Sequence, residues 1–533
     1  MRRFAMRLAL KVPHSRSSPP LHWRPHSLRR INAQGMRGRA LYGLCGLTLV
    51  LSLLLGGGTR SGFLSDTILE LAALPLFLAA LSRMMQTQIP RETARALWLA
   101  AAIALLPLFQ LVPMPPQIWT LLPNRGVVAE SFRLLDSELP WMPLSVTPRE
   151  TWLAALSSIP PLAIFLGTLV LEDRRRHSLC LLILVVGAAS VLIGLIQVGQ
   201  GPDSPFRFYA FTNTSDAVGF FANRNHFAAL LYALILLTSA FAVDAAIGAG
   251  GIYRARKLDP RQAAKLLAAT ALLVTFSAAQ IITRSRAGLA LSLAALFAAP
   301  ALALSARVRG AGGRAGRLLT AAIFLAAVFV FQYGLYRVQE RFAADPMADA
   351  RITFARNTLK AVEAFMPFGS GMGSFVNVYG LFEQPEDLIG GIYANRAHND
   401  ILEFALEAGL PGIAVFFLFV AWLVRKTGTV WSNASDDKST LNLSLQRSGT
   451  LLIGLVLIHS LVDYPLRTGS IMAVFAFACA LLIESPDAAQ RREKKLATAR
   501  SARLDRAAKA AAVFQPAKLP EIDWPVEWRK PPS

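Results

Sequence analysis

Five short stretches of this 533-residue chain hold side chains able to move a proton or neutralise an anion. The densest is Ala397-His398-Asn399-Asp400, with Glu403 and Glu407 following one helical turn apart. An imidazole titrates near neutrality, so His398 could accept a proton from a sugar hydroxyl. A lone interfacial histidine more often only caps or anchors a helix, but this one has charged company. Thr283-Arg284-Ser285-Arg286-Ala287-Gly288 sets two guanidiniums side by side, a fork that can grip a phosphate or diphosphate bidentately. Snorkelling arginines on lipid headgroups are the alternative there. Arg351 opens a third stretch, in which Ile352, Ala355, Leu359, Val362 and Met366 recur at helical spacing while Arg356, Lys360 and Glu363 share another face. That stretch runs into Pro367-Phe368-Gly369-Ser370-Gly371-Met372-Gly373, whose glycines permit positive φ and whose successive amides could form an anion nest. A fourth, Asn223-Arg224-Asn225-His226, has amides suited to capping a helix or touching a ligand. The fifth, His459-Ser460-Leu461-Val462-Asp463-Tyr464-Pro465-Leu466-Arg467, spaces His459 and Asp463 as a structural i, i+4 pair.

The elements that must position these groups are membrane helices. Hydrophobic residues make up 54% of the chain and its mean hydropathy is +0.44, too apolar for a soluble protein of this length. Apolar runs long enough to cross a hydrocarbon core of about 30 Å fall at 41–58, 65–82, 96–114, 152–171, 178–199, 227–247, 264–282, 287–304, 318–336, 401–424, 449–463 and 468–484. These predict an all-α polytopic membrane protein of about twelve spans.

The net charge of +22 invites a nucleic-acid reading, which the placement of the charge reduces to a remote alternative. Numbered from a cytosolic N-terminus, 40 of the 55 Lys and Arg fall in the inside segments. The long loop 337–400 carries only 6, beside 8 acidic residues. This is the positive-inside pattern. Both termini are expected in the cytosol, with a basic segment 1–40, a membrane domain 41–484 and a charged tail 485–533 that has helical potential around 496–513. All five polar stretches then share the outward side. Residues 1–35 lack the apolar core of a signal peptide, and Met36, just before the first span, would serve equally as a start. Cys45, Cys180 and Cys479 are dispersed within spans, as core-filling thiols rather than a disulfide or metal set.

Taken in order, Asn223-Arg224-Asn225 before Phe227-Ala228, Ser285-Arg286-Ala287-Gly288, Arg351 leading to Pro367-Phe368-Gly369-Ser370-Gly371, and His398-Asn399-Asp400 leading to Gly409-Leu410-Pro411-Gly412 resemble the O-antigen ligase and polysaccharide polymerase superfamily of bacterial membrane glycosyltransferases. The resemblance covers about residues 200–470. It implies transfer of a glycan from an undecaprenyl-diphosphate carrier to an acceptor hydroxyl on the periplasmic face of the inner membrane, with no cofactor and no metal. Arg286 and Arg351 match the family's two diphosphate-binding arginines, and His398 its loop histidine. At the fourth position after Arg351 this chain has Ala355 where the family often has an aromatic residue, which makes Arg356 the fallback. Arg284, Arg356, Asn223, Asn225, Asn399, Gly369 and Gly371 are further candidates for substrate contact, from their position beside these three.

A transporter or flippase of lipid-linked glycans is the rival from another class. The chain shows no inverted repeat, and its polar groups gather on one face rather than at mid-membrane, which favours the enzyme. Acceptors consistent with the motifs are lipid A-core, a growing polysaccharide (O-chain or exopolysaccharide) or a protein hydroxyl. Acceptor recognition is expected in loops 115–150 and 374–397. Their aromatics Trp119, Trp141, Tyr379 and Tyr393 could stack on sugars, although packing is the commoner role for such residues.

Overall fold

A computed structural model describes residues 25–60, 62, 64–250, 259–305, 328, 346–388, 394–432, 439–513, 523 and 525. Long helices dominate: α1 (Pro25–Leu55), α2 (Leu64–Met85), α3 (Arg91–Gln110), the short α4 (Pro116–Trp119) and α5 (Gly126–Leu134), α6 (Pro148–Ser157), α7 (Ile159–Leu169), α8 (Asp173–Gln200), α9 (Arg224–Gly250), α10 (Pro260–Ile282) and α11 (Arg286–Ser305). Then follow α12 (Pro346–Phe365), α13 (Phe375–Tyr379), α14 (Asp400–Ser432), α15 (Thr440–His459), α16 (Gly469–Leu481) and α17 (Pro486–Val513). Two-residue strands at Pro113–Met114 and Met142–Pro143 pair antiparallel and close the loop between α3 and α6.

Ten of the described helical segments are long and apolar enough to span a membrane. The chain is thus an all-α polytopic membrane protein. The expected eighth span falls on α11, whose described apolar part, Arg286–Ala298, is shorter. The ninth, 318–336, lies outside the described residues except for Val328. The fourth span is made of α6 and α7 together, and α15 ends at His459, so Asp463 lies in the turn beyond it.

The hub is α9, packed by α10, α11 and α15 and buried along most of its length. A second group, α1, α2, α7 and α16, joins it through α15. Cys45, Cys180 and Cys479 are buried in this shared core. At the opposite end of the bundle from the site, buried Arg176 of α8 donates to Leu169 O (3.1 Å), Leu171 O (3.1 Å) and Ile483 O (2.7 Å). One guanidinium thereby satisfies carbonyls left open where α7 and α16 end.

A second, smaller core of Ala350, Phe354, Ala361, Phe365, Phe375 and Leu406 forms the layer that covers the site end. The amphipathic stretch is helical as expected, but its buried face differs. Ile352 and Leu359, placed on the apolar face by their spacing, are 62% and 50% exposed. The helix instead buries Ala350, Phe354, Asn357 and Ala361 against α14. Small side chains let the two backbones approach, and a single aromatic, Phe354, fills the gap toward the site.

The glycine stretch meets α14 where that helix breaks. Gly409 takes φ +59° and ψ −156° inside α14, and Leu410 N donates to Pro367 O at 2.8 Å. A Cβ on Gly409 would lie 2.5 Å from Phe368 C and Pro367 O, and one on Gly369 would lie 2.6 Å from Glu407 O. Both motifs therefore lack side chains because two backbones cross there. The expected anion nest is overturned by the same contacts: the amides of Gly369, Ser370, Gly371 and Met372 donate to Phe365 O, Leu406 O, Glu407 O and Gln110 Oε1, each at 2.9 Å. Gly409→Ala should lower stability by at least about 1–3 kcal/mol, read as a fall in melting temperature of the purified protein in detergent; an unchanged midpoint would refute the crossing.

Candidate active site

The five stretches meet at one end of the bundle. Four of them converge on the carboxylate of Asp463, in the turn after α15 and buried. His398 Nδ1 lies 3.1 Å from its Oδ1, and Asn225 Nδ2, from the first turn of α9, donates to its Oδ2. The side chain expected to pair with His459 therefore pairs elsewhere. The His459 ring goes instead to Tyr232 OH, at 3.3 Å. Burial alone would raise the Asp463 pKa; the hydrogen bond to His398 and the positive field of His398, His226 and Arg351 outweigh it and hold the carboxyl well below the usual range. An ionised carboxylate can only accept, so Nδ1 of His398 is the donor in this contact.

His398 is only 8% exposed and its backbone has φ +51°, a costly conformation for a residue with a Cβ. Its neighbours impose it. Ala397 N donates to Glu403 Oε2 at 2.9 Å, and Asn399 Oδ1 caps α14 by accepting from Ile401 N (3.1 Å) and Leu402 N (3.0 Å). The ring stacks on Phe354, with centroids 6.0 Å apart, and meets the edge of Tyr464 at 4.9 Å. Tyr464 is itself buried against His226, and its hydroxyl accepts from Asn395 Nδ2 (3.4 Å) and Asn223 Nδ2 (3.5 Å). Burial first, and then the Asp463 charge, push its phenol up to about 12.

Below the histidine loop lies a buried ion network. Arg467 approaches Glu407 Oε2 at 2.7 Å and Asp400 and Glu403 at 3.6 Å, while Arg396 meets Glu403 at 2.9 Å. Burial opposes the Arg467 charge, yet three carboxylates outweigh it and hold that guanidinium above its ordinary arginine value. Asp400 also accepts from Ser460 Oγ (2.8 Å) and Leu466 N (3.1 Å), which ties the start of α14 to the Asp463 turn.

The expected anion-binding arginines fall in three settings. Arg351 is half-buried near the start of α12 and faces inward, close enough to lower the Asp463 pKa; its Nε has no hydrogen-bond partner among the described residues. Arg356, five residues on, is exposed. Arg286 is the first residue of α11, half-buried. The start of α11 abuts the start of α9, since a Cβ on Gly288 would collide with Ala228, and α9 supplies Asn225 to Asp463. Arg284, in contrast, pairs with buried Asp216 at 3.6 Å, which also binds Arg224 at 2.6 Å. Arg284 and Arg224 thus hold the loop before α9. Asn223 Oδ1 accepts from Asn225 N at 2.8 Å, and Asn399 Nδ2 donates to Leu461 O at 3.0 Å, so both asparagines shape the backbone around the site.

The aromatics divide. Trp119 is buried and donates to Pro140 O at 2.9 Å, Tyr379 packs on Phe354 and Phe375, and Trp141 is exposed. Tyr393 lies outside the described residues. Sequence reasoning undervalued Asp463, Arg396 and Arg467. The available signal was their polarity beside membrane helix ends, where ionisable groups are costly.

The arrangement is thus a histidine backed by a buried carboxylate, with Arg351 facing it, at one end of a polytopic helical bundle. Residues 271–417 match the family model described as O-antigen ligase. This match, over 147 of the 533 residues, supports a likeness to the O-antigen ligase and polysaccharide polymerase superfamily. No curated protein matches it. The matched segment contains Arg286, Arg351 and His398, whereas Asn225 and Asp463, which complete the site, lie outside it.

Because the folded pKa of Asp463 is below its unfolded value, its carboxylate adds stability that is complete above roughly pH 4 and drains away as pH falls further. Asp463→Asn should therefore melt below wild type by about 1–3 kcal/mol at pH 7, with the gap flat down to about pH 4 and closing below it. A gap independent of pH would contradict the assignment.

Proposed function

We propose that this protein transfers a glycan from an undecaprenyl-diphosphate carrier to an acceptor hydroxyl on the periplasmic face of the bacterial inner membrane, as an O-antigen ligase or polymerase. The observation that carries the reading is the His398–Asp463 pair at 3.1 Å with Arg351 facing it. Nε2 of His398 takes the proton of the acceptor hydroxyl as its oxygen bonds to the anomeric carbon. The bond from that carbon to the diphosphate oxygen breaks in the same displacement, which inverts the anomeric centre. The leaving diphosphate already bears the departing charge, so Arg286 and Arg351 need only neutralise and hold it. Asp463 acts through His398 by fixing its tautomer, and Asn225 holds Asp463. The positive-inside pattern supports cytosolic termini and a periplasmic site.

The test is turnover in proteoliposomes given an undecaprenyl-diphosphate glycan and an acceptor. Release of free undecaprenyl diphosphate together with acceptor-linked glycan supports transfer; glycan crossing the bilayer with no new bond sinks it. His398→Ala, Arg286→Ala and Arg351→Ala should each cut transfer by roughly 10²–10⁴-fold in protein that still inserts. Arg356→Ala should stay close to wild type, and the reverse result for Arg351 and Arg356 would move the diphosphate contact along α12.

A further inference from the structure

The segment between α3 and α6 lies at the His398 end of the bundle, where Gln110 Nε2 donates to Glu407 O at 2.9 Å. It leaves a run of apolar side chains without a partner in the protein. Leu121, Val127, Leu134 and Leu135 are each at least 75% exposed, and Ile118 and Trp141 add to the run. At 3.6 residues per turn, Val127, Leu134 and Leu135 share one stripe of α5. Buried Ala129 and half-buried Phe132 form a second side that faces the protein. Glu130 and Arg133, paired at 3.3 Å, make a third side that is exposed and charged. A helix with a packed side, an apolar side and a charged side suits the boundary between lipid and water.

The lipid-facing surface of the bundle leads into this stripe. Helix α3 is long and apolar enough to span the membrane yet buries only Ala96, Leu106, Pro107 and Gln110. Its exposed side continues through Phe109 and Val112 into Ile118 and Leu121. On the return, Trp141 before α6 and Trp152 within it stand exposed, and tryptophan gathers where headgroups meet acyl chains. Aliphatic side chains neither give nor accept hydrogen bonds, so a glycan finds nothing to hold on Leu121, Val127, Leu134 or Leu135, whereas an acyl chain does. The inner side of the segment is fastened to the site layer. Asn124 Nδ2 donates to Ala364 O at 3.0 Å near the end of α12, buried Arg125 donates to Leu144 O, and Val146 N donates to Ser370 O at 2.9 Å. Whatever holds the stripe therefore also holds α12 and the glycine turn.

We propose that α4 and α5 form an interfacial anchor seated in the bilayer leaflet on the His398 side, with Val127, Leu134 and Leu135 among the acyl chains below the headgroups and the Glu130–Arg133 pair in water. The anchor sets the depth of α12 and the glycine turn relative to the membrane surface. The full-length protein, in nanodiscs of phosphatidylethanolamine and phosphatidylglycerol, would carry a polarity-sensitive fluorophore on Leu134→Cys or, as the control, on Glu130→Cys. The three native thiols are buried, and the unsubstituted protein supplies the labelling blank. A phospholipid with a nitroxide high on its acyl chain should quench the label at 134 at least about twofold more than at 130, and aqueous iodide should rank the two sites in the opposite order. Equal quenching at both sites would overturn the anchor. Shielding of position 134 from iodide with no quenching by the lipid would place a protein partner or a second copy on the stripe and overturn it as well. A phospholipid with a photoactivatable acyl chain tests the unsubstituted protein: adducts should appear within residues 118–135 as well as on α3, and adducts on α3 alone would refute the proposal.

Discussion

A carboxylate with almost no access to water must find donors and positive charge within the protein, and Asp463 finds them on three separate parts of the chain. Asn225 comes from the first turn of α9, His398 from the loop before α14, and the field of Arg351 from α12. Leaving such a charge unpaired costs several kcal/mol. The helix ends that carry these partners are therefore held in one arrangement. The same demand fixes the histidine, since a carboxylate that must accept takes Nδ1 as its donor.

The charges beneath it follow the same logic with different signs. Asp400, Glu403 and Glu407 lie on successive turns of α14 and would repel one another if Arg467 and Arg396 did not thread between them. Such a network adds little net stability, because desolvation offsets much of the attraction. Its value is positional. Through Glu403 it holds Ala397, through Asp400 it holds the Asp463 turn, and between them His398 is kept in a backbone conformation it would not adopt alone.

Backbone against backbone does comparable work on the far side of α14. The break at Gly409 receives the Gly369–Met372 turn, whose amides are used up in the crossing. Glycine runs of this kind look alike in sequence whether they cradle an anion or admit a neighbouring chain. Only the positions of Glu407 O and Pro367 O distinguish the two uses.

Run lengths of apolar residues, read against the thickness of a bilayer, were enough to establish an all-α polytopic protein, because in lipid the backbone must satisfy itself within helices. Residue type likewise picked out His398, Arg286 and Arg351 as groups worth attention. Sequence spacing misjudged the buried face of α12, since Ile352 and Leu359 look like core residues until the close approach of α14 selects Ala350 and Ala361 instead. It paired Asp463 with His459 four residues away, when the partner is 65 positions distant. Periodicity reports neighbours along one helix, whereas the partner of a buried charge is chosen by whichever helix ends packing brings together, and that choice exists only in the tertiary structure.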